Sequence, residues 1–212
     1  MGSTTSGLLT IAVLVSALAL AHRPLGDYLA RVYTSTRHLR VERWIYRVVG
    51  VDPESDQRWR TYCLSVLAFS AVGIIALMIL LMLQGVLLPG PHGGVNWHGA
   101  FNTSVSFVTN TNWQWYSGES TLNNLTQALG LTVQNFGSAA TGMAVAIALV
   151  RGFVRSRTDR LGNFWVDLVR SVVRILLPLS VIAAIILLSQ GVIQNLTDST
   201  TVYAVTGGTQ EV

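Results

Sequence analysis

The sequence contains no lysine, and all 14 of its basic residues are arginines. Charged residues of either sign make up only 11% of the chain, whereas half of the chain is apolar. An average soluble domain carries about 25% charged residues. This scarcity of charge excludes an ordinary water-soluble surface and indicates a membrane protein.

An isoelectric point near 9.7 is the only feature that suggests nucleic acid as a partner. The arginines, however, lie in two blocks between apolar segments and not along one basic face. The sequence also lacks a glycine-rich phosphate loop, the aromatic signature of RNA-binding domains and the spacing of zinc ligands. We therefore expect this chain to bind neither nucleic acid nor a nucleotide.

Cysteine is nearly absent too, and a single Cys63 cannot form an internal disulfide. The four histidines are scattered along the sequence, and neither a Ser/His/Asp arrangement nor a pair of catalytic carboxylates stands out. We therefore expect that the chain is not an enzyme by itself.

Long apolar runs are what the sequence has in abundance. A helix needs about 20 mostly apolar residues to cross the hydrocarbon core of a bilayer. The first run lacks the basic residues that precede the core of a signal peptide, so we expect an uncleaved helix there. The predicted membrane spans are residues 1–21, 62–83, 125–150 and 171–189.

The arginines predict the orientation of these spans. Eight lie between the first and second spans, and six lie between or at the edges of the third and fourth. Short arginine-rich loops stay in the cytoplasm, so residues 22–61 and 151–170 are predicted inside, each with a helix along the membrane surface. The N-terminus and the tail, 190–212, are predicted outside. Asp167 is expected to form a weak surface pair with Arg170 or Arg174.

A half-length apolar segment, residues 97–108, lies between the second and third spans and runs into four polar residues. As a helix it is about 18 Å long, well short of the hydrocarbon core of about 30 Å. Polar non-helical backbone at membrane depth occurs only where protein buries it or where it lines a watery cavity. One interpretation is a pore helix followed by an ion-coordinating filter segment, 109–114. The other is a surface amphipathic helix followed by an Asn-rich turn, and spacing alone does not decide.

Two further features leave alternatives open. Polar residues form a stripe along the third span, which indicates either helix–helix packing or a backing for the pore loop; they are Gln127, Gln134, Ser138 and Thr141. Pro178 in the fourth span predicts a kink or a gating hinge, and proline is tolerated there when a neighbour satisfies the freed carbonyl.

Several strings make the interpretation more specific. They are FNTSVSFVTNTNWQWYSGES, LTVQNFGSAATGMAVAIALVRGF and LGNFWVDLVRSVVRILLPLS, together with HRPLGDYLA and VERWIYRVVGVDPESDQRWRTYCLSVLAFS nearer the N-terminus. Over nearly the whole chain the sequence resembles the A subunit of the bacterial Kdp potassium-transporting ATPase.

The resemblance implies an all-α integral membrane protein with potassium-channel-like helix–pore loop–helix repeats. Residues 62–150 are then one complete repeat and 171–189 begin a second, so the chain is expected to be an N-terminal fragment carrying one filter segment of four. Trp115 departs from the family, in which a small polar residue is common. The implied potassium ligands are Thr109, Asn110, Thr111 and Asn112, with Gln114 as support.

The implied function is to bind and translocate K+ within a high-affinity import complex of the bacterial plasma membrane. The A subunit passes K+ to an ATP-hydrolysing B subunit, and small C and F subunits complete the complex. Two other classes of function are compatible with the residues themselves. One is an ion-coupled secondary transporter with a re-entrant loop, and the other is a non-conducting membrane scaffold.

Overall fold

Long helices form where the sequence has uninterrupted apolar runs. The computed structural model describes residues 3–88, 90–192, 201–203 and 207–211. In chain order the helices are α1 (Ser3–Thr34), α2 (Arg40–Val49), α3 (Trp59–Leu87), α4 (Trp97–Val108), α5 (Gly118–Thr121), α6 (Asn124–Val154) and α7 (Phe164–Ser189). Four of them, α1, α3, α6 and α7, are long and apolar enough to cross a membrane. The predicted fold class, an all-α integral membrane protein, is confirmed.

The first helix extends well beyond the predicted span, because α1 continues through Pro24 as far as Thr34. Its C-terminal part packs Val32 and Tyr33 against Ile175 of α7. This burial explains why the helix persists where the hydropathy falls. The predicted loop 22–61 therefore begins with helix.

The predicted surface helix before the fourth span is continuous with that span in α7, through a π-helical stretch at Ser171–Leu176. Pro178 follows this stretch and has no N–H to donate to the carbonyl of Arg174 four residues earlier. The hydroxyl of Tyr28 in α1 donates to that carbonyl at 2.5 Å. A neighbouring helix thus satisfies the group that proline leaves free.

Two antiparallel strand pairs complete the described structure. β1 (Gln57–Arg58) pairs with β2 (Arg160–Gly162) and joins the two arginine-rich loops. β3 (Thr201–Tyr203) pairs with β4 (Thr209–Glu211).

Within the described residues, the apolar core consists of three clusters between the helices. Small residues spaced one turn apart on α6, Ala140, Ala144 and Ala148, allow Tyr62 and Phe164 to pack closely against that helix. A second cluster joins α3, α4 and α6, and its members include Leu77, Leu81, Phe107 and Leu131. The third is the contact between α1 and α7 already described.

These helices separate two ends of the bundle. α3 has 29 residues and is therefore about 43 Å long at 1.5 Å per residue. At its beginning lie residues 28–60 and 151–174, which contain all of the arginines except Arg23 and which we call the arginine end. At its other end lie α4 and the start of α6, residues 84–132, which we call the amide end.

Asp167 contradicts the sequence-based expectation of a weak surface pair with Arg170 or Arg174. It lies in the first turn of α7 and is only 1% exposed. Its carboxylate accepts two hydrogen bonds from Arg151 of α6, at 2.5 and 2.9 Å, and one from Tyr62 at 3.1 Å. The expectation is wrong because α7 packs this face directly against α6.

A second buried ion pair fixes α2 to α7. Both carboxylate oxygens of Glu42 accept hydrogen bonds from Arg174 at 2.5 Å, and one also accepts the backbone N–H of Leu39 at 2.8 Å. Burial alone would raise the pKa of Glu42, but these hydrogen bonds and the nearby arginines hold that pKa below its ordinary value.

Candidate cation site at the end of α4

The helix α4 begins and ends for identifiable local reasons. The side chain of Asn96 caps its first turn by accepting the N–H of Gly99 at 2.8 Å. Beyond Val108 the chain leaves the helix because Asn110 and Asn112 take left-handed conformations, with φ of 61° and 60°. Asparagine adopts this conformation more readily than most other residues.

Ser106, in the last turn of α4, holds the segment that follows. Its carbonyl oxygen accepts the N–H groups of Thr111 at 2.9 Å and Asn112 at 3.3 Å. Its hydroxyl oxygen accepts the N–H of Trp113 at 2.6 Å. One residue therefore orients three consecutive peptide planes.

The N–H bonds of this segment determine which way its carbonyl oxygens point. The N–H of Asn110 donates to the carbonyl of Phe107, so four consecutive N–H groups bond to the last turns of α4. In a trans peptide the carbonyl points opposite to the N–H of the next residue, and the described residues contain no cis peptide. The carbonyls of 109–112 therefore point to the open side, where all four residues are exposed.

Side chains of the segment itself and one side chain of α6 stabilise this conformation. The hydroxyl of Thr109 donates to the carbonyl of Val105 at 2.8 Å and lies 3.3 Å from the hydroxyl of Thr111. The hydroxyl of Ser138 in α6 donates to the side-chain oxygen of Asn110 at 3.3 Å. Ser138 thus backs the predicted filter segment. This agrees with the second interpretation of the polar stripe, a backing for the pore loop.

The other stripe residues have separate roles. Gln127 donates to the carbonyls of Gly118 and Leu122, both at 3.4 Å, and so supports the loop after the segment. Thr141 donates to the carbonyl of Gly137 in its own helix. Ser138 and Gln127 therefore back the loop, whereas the side chain of Gln134 lies against Gly73 of α3, as expected for helix–helix packing.

Gln114, the last residue of the predicted filter segment, and Glu119 both follow the four exposed residues 109–112. The side-chain nitrogen of Gln114 is buried and has no hydrogen-bond partner among the described residues, so no hydrogen bond from this atom joins it to the segment. The carboxylate of Glu119 accepts a hydrogen bond from the hydroxyl of Ser117, which lowers the pKa of Glu119.

A network of neutral amides holds the surroundings of the segment. Gln84, at the end of α3, is fully buried; it donates to the carbonyls of Gly93 and Thr121, at 2.6 and 2.9 Å, and accepts the N–H of Asn123 at 3.2 Å. Asn123 in turn exchanges hydrogen bonds with the backbone of His92. Sequence reasoning missed Gln84, Asn123 and Ser106, although a glutamine near the end of a long apolar run is a visible signal.

Glycine allows the loop before α4 to approach α3 closely. A Cβ at Gly94 would lie 2.0 Å from the carbonyl oxygen of Met82. Next to it, the N–H of Val95 donates to the carbonyl of Leu81 at 3.0 Å. This contact fixes the start of α4 against the end of α3.

The electrostatics of this region suit a monovalent cation. From Thr61 to Val150 the sequence has one charged residue, Glu119. The C-terminus of α4 carries the negative end of its dipole, about half an elementary charge. The described residues contain no group of three or more His, Cys, Asp or Glu that would hold a transition metal. Backbone carbonyls are the ligands that replace the hydration shell of K+ in selective channels.

The four long apolar helices define the class of the protein: it is an all-α integral membrane protein. Comparison with known families then specifies it. The family model of the potassium-transporting ATPase A subunit matches residues 12–212, so the chain belongs to that family.

Three relatives agree with this assignment, and all three are described as a potassium-transporting ATPase potassium-binding subunit. The relative from Streptomyces coelicolor is 54% identical over 213 residues, that from Mycobacterium avium 56% over 214 residues, and that from Kineococcus radiotolerans 55% over 213 residues. Each alignment covers all of this chain and 38% of the relative, so the chain spans about two fifths of their length.

Proposed function

We propose that this chain contributes to the potassium-binding and translocating subunit of an ATP-driven potassium import complex. The observation that carries the proposal is that the N–H groups of residues 110–113 all bond to the last turns of α4, which turns the carbonyls of 109–112 away from that helix. The names of the relatives, which are potassium-binding subunits of an ATPase, support K+ as the ion. In this proposal Thr109, Asn110, Thr111 and Asn112 supply oxygens to K+, and Gln114 supports them.

The mechanism at this segment is exchange of water for carbonyl oxygens. The dipole of α4 favours a cation at its C-terminus, and carbonyls held in place by Ser106 replace hydration water without having to reorganise. One segment offers oxygens on one side only. The resemblance to the family implies three further segments around the same ion, and K+ then passes to an ATP-hydrolysing B subunit, with C and F subunits completing the complex.

Family membership favours this proposal over the two alternatives. An ion-coupled secondary transporter would require inverted broken helices in place of further pore-loop repeats. A non-conducting scaffold binds no K+ and would therefore not be stabilised by it. Potassium-dependent stabilisation of the full-length protein, with Na+ as the control, separates the scaffold from the proposed function.

The orientation is part of the proposal: the arginine end faces the cytoplasm of a bacterial cell, and the N-terminus and the α4 segment face outward. Support comes from the two arginine blocks, which meet at one end through the pairs Arg155–Asp56 and Arg174–Glu42. In a Cys63→Ser background, Ser117→Cys is expected to react with an impermeant thiol reagent in intact cells, and Thr158→Cys is not. The reverse labelling would overturn the orientation.

Replacement of Gln114 by arginine tests the segment as a selective cation site. Two unit charges about 6 Å apart repel by roughly 3 kcal/mol at an effective dielectric constant near 20. We therefore expect Gln114→Arg to raise the half-saturating potassium concentration of the assembled complex by about two decades. The measurement is potassium-stimulated ATP hydrolysis.

Glu119→Gln is the control, since it changes a charge in the same loop. Glu119 is exposed and screened by solvent, so its replacement is expected to shift half-saturation by well under one decade. An unchanged half-saturating concentration in Gln114→Arg would show that this segment is not the selective part of the ion path.

A further inference from the structure

A groove of about 440 Å³ lies between α1 and α7 at the arginine end. Its apolar lining includes Val32 of α1, Leu39 just before α2, and Val173 and Pro178 of α7. A volume of this size is within the range of about 300–1,000 Å³ that is typical of ligand pockets.

The polar groups of the groove are almost all used within the protein. The hydroxyl of Tyr28 donates to the carbonyl of Arg174. The guanidinium of Arg174 pairs with Glu42 and also donates to the carbonyl of Arg37 at 2.7 Å. These groups fix the walls and have little left to offer a ligand.

Arg31 is the exception. It lines the groove and is exposed, and its Nε donates to the backbone carbonyl of Asp27 at 3.1 Å. Among the described residues, no carboxylate lies within ion-pair distance of its guanidinium. The groove therefore combines apolar walls with one arginine that forms no ion pair within the part of the chain that the structure describes.

The neighbouring helix α2 indicates the depth of the groove in the membrane. Its buried face carries Glu42 and Tyr46, whereas the opposite face exposes Val41, Trp44 and Val48. An apolar stripe with tryptophan on a short, arginine-rich helix is typical of the boundary between headgroups and acyl chains. Leu39 links this helix to the groove, so the groove opens near the same boundary.

We infer that the groove binds one anionic phospholipid of the cytoplasmic leaflet, with an acyl chain between α1 and α7 and the headgroup phosphate on Arg31. The inference depends on the orientation proposed above. Basic pockets between membrane helices on the cytoplasmic side bind anionic headgroups. A protein helix in the same place would cover Arg31 and would have to bring its own carboxylate, whereas an anionic lipid supplies both the apolar chain and the charge.

The test is native mass spectrometry of the intact complex in detergent, titrated with phosphatidylglycerol or phosphatidylcholine. One arginine near a membrane surface contributes about 1 kcal/mol toward anionic lipid, so Arg31→Gln is expected to weaken phosphatidylglycerol binding roughly fivefold. Arg31→Lys keeps the charge and is expected to retain binding. Arg23→Gln, which removes the same charge from the same helix away from the groove, is expected to bind like the wild type.

Equal losses in Arg31→Gln and Arg23→Gln would overturn the inference, because they would show only general attraction to anionic lipid. Equal retention of both lipids by the wild type would overturn it as well, as would the absence of retained lipid, which is the result expected if a partner helix fills the groove. The readout is independent of potassium, so failure of the lipid site and failure of the proposed transport function are distinguishable.

Discussion

At the amide end of the bundle, Gln84 and Asn123 are almost completely buried and bond to backbone groups of two segments, the loop before α4 and residues 121–123. At the arginine end, Asp167 and Glu42 are buried to the same degree and bond to arginines of distant helices. Both ends must satisfy polar groups where loops close the helices. One end does so with dipoles, and the other does so with full charges.

The difference matters for the potassium site proposed above. A fixed positive charge beside the segment 109–112 would repel a cation, and a fixed negative charge would attract cations regardless of their size. Neutral amides hold the loops without adding a net charge, which in the proposed site leaves selection to the carbonyls. Buried ion pairs carry no such risk at the arginine end, about one helix length away, where they fix α2 and α7 in place.

The largest expected effect comes from removing a charge at the arginine end. Asp167→Asn leaves Arg151 without its bidentate partner, and breaking a buried pair in this way costs about 3–5 kcal/mol. We expect a clear fall in the unfolding temperature of the purified complex in detergent. The double replacement Asp167→Asn with Arg151→Gln leaves no buried unpaired charge and is expected to recover part of the loss. A single replacement without effect would contradict a structural role for this pair.

A smaller loss is expected at the amide end. Gln84→Leu leaves two carbonyls and one N–H without their partner, which costs about 2–3 kcal/mol when buried polar groups remain unsatisfied. Thermal unfolding measures this cost beside that of Asp167→Asn. Because no charge is uncovered, the loss is expected to be insensitive to salt. A loss larger than that of Asp167→Asn would break the comparison between the two ends.

The two ends are also expected to differ in how their contributions to stability depend on pH. Because the pKa of Glu42 is held below its ordinary value of 4.5, its pair with Arg174 contributes stability that is fully present above that value and is lost as the pH falls through the lowered pKa. The difference in unfolding temperature between the wild type and Glu42→Gln is therefore expected to be constant near neutrality and to shrink below about pH 4.5. A difference that grows in acid would be inconsistent with the lowered pKa. Gln84→Leu is expected to show no such pH dependence.

Much of this arrangement could be predicted from the sequence, and the limits have physical causes. Membrane helices follow from composition alone, because about 20 apolar residues in a row have few other uses. The partner of Asp167 could not be predicted, since Arg151 lies 16 residues away on another helix and only the packing of α6 on α7 brings the two together. The full length of α1 was missed because its last turns are stabilised by contacts with α7 and not by hydropathy.

The candidate segment shows the same limit at a smaller scale. The polar residues at 109–112 are visible in the sequence, whereas the role of Ser106 depends on the sign of φ at Asn110 and Asn112. No propensity scale specifies which way four successive N–H groups turn. Local hydrogen bonds decide it, and they appear only once the backbone is known.

The most direct test of the account compares Ser106 with Glu42 in the potassium dependence of ATP hydrolysis by the full complex. Ser106→Ala removes the acceptor for the N–H of Trp113, a bond that contributes about 0.5–1.5 kcal/mol. We expect roughly a fivefold rise in half-saturating potassium, with Ser106→Thr, which keeps the hydroxyl, much closer to the wild type. Glu42→Gln is expected to lower thermal stability without changing half-saturation. An unchanged half-saturation in Ser106→Ala, or an equal rise in Glu42→Gln, would contradict the claim that the end of α4 presents its carbonyls to the ion.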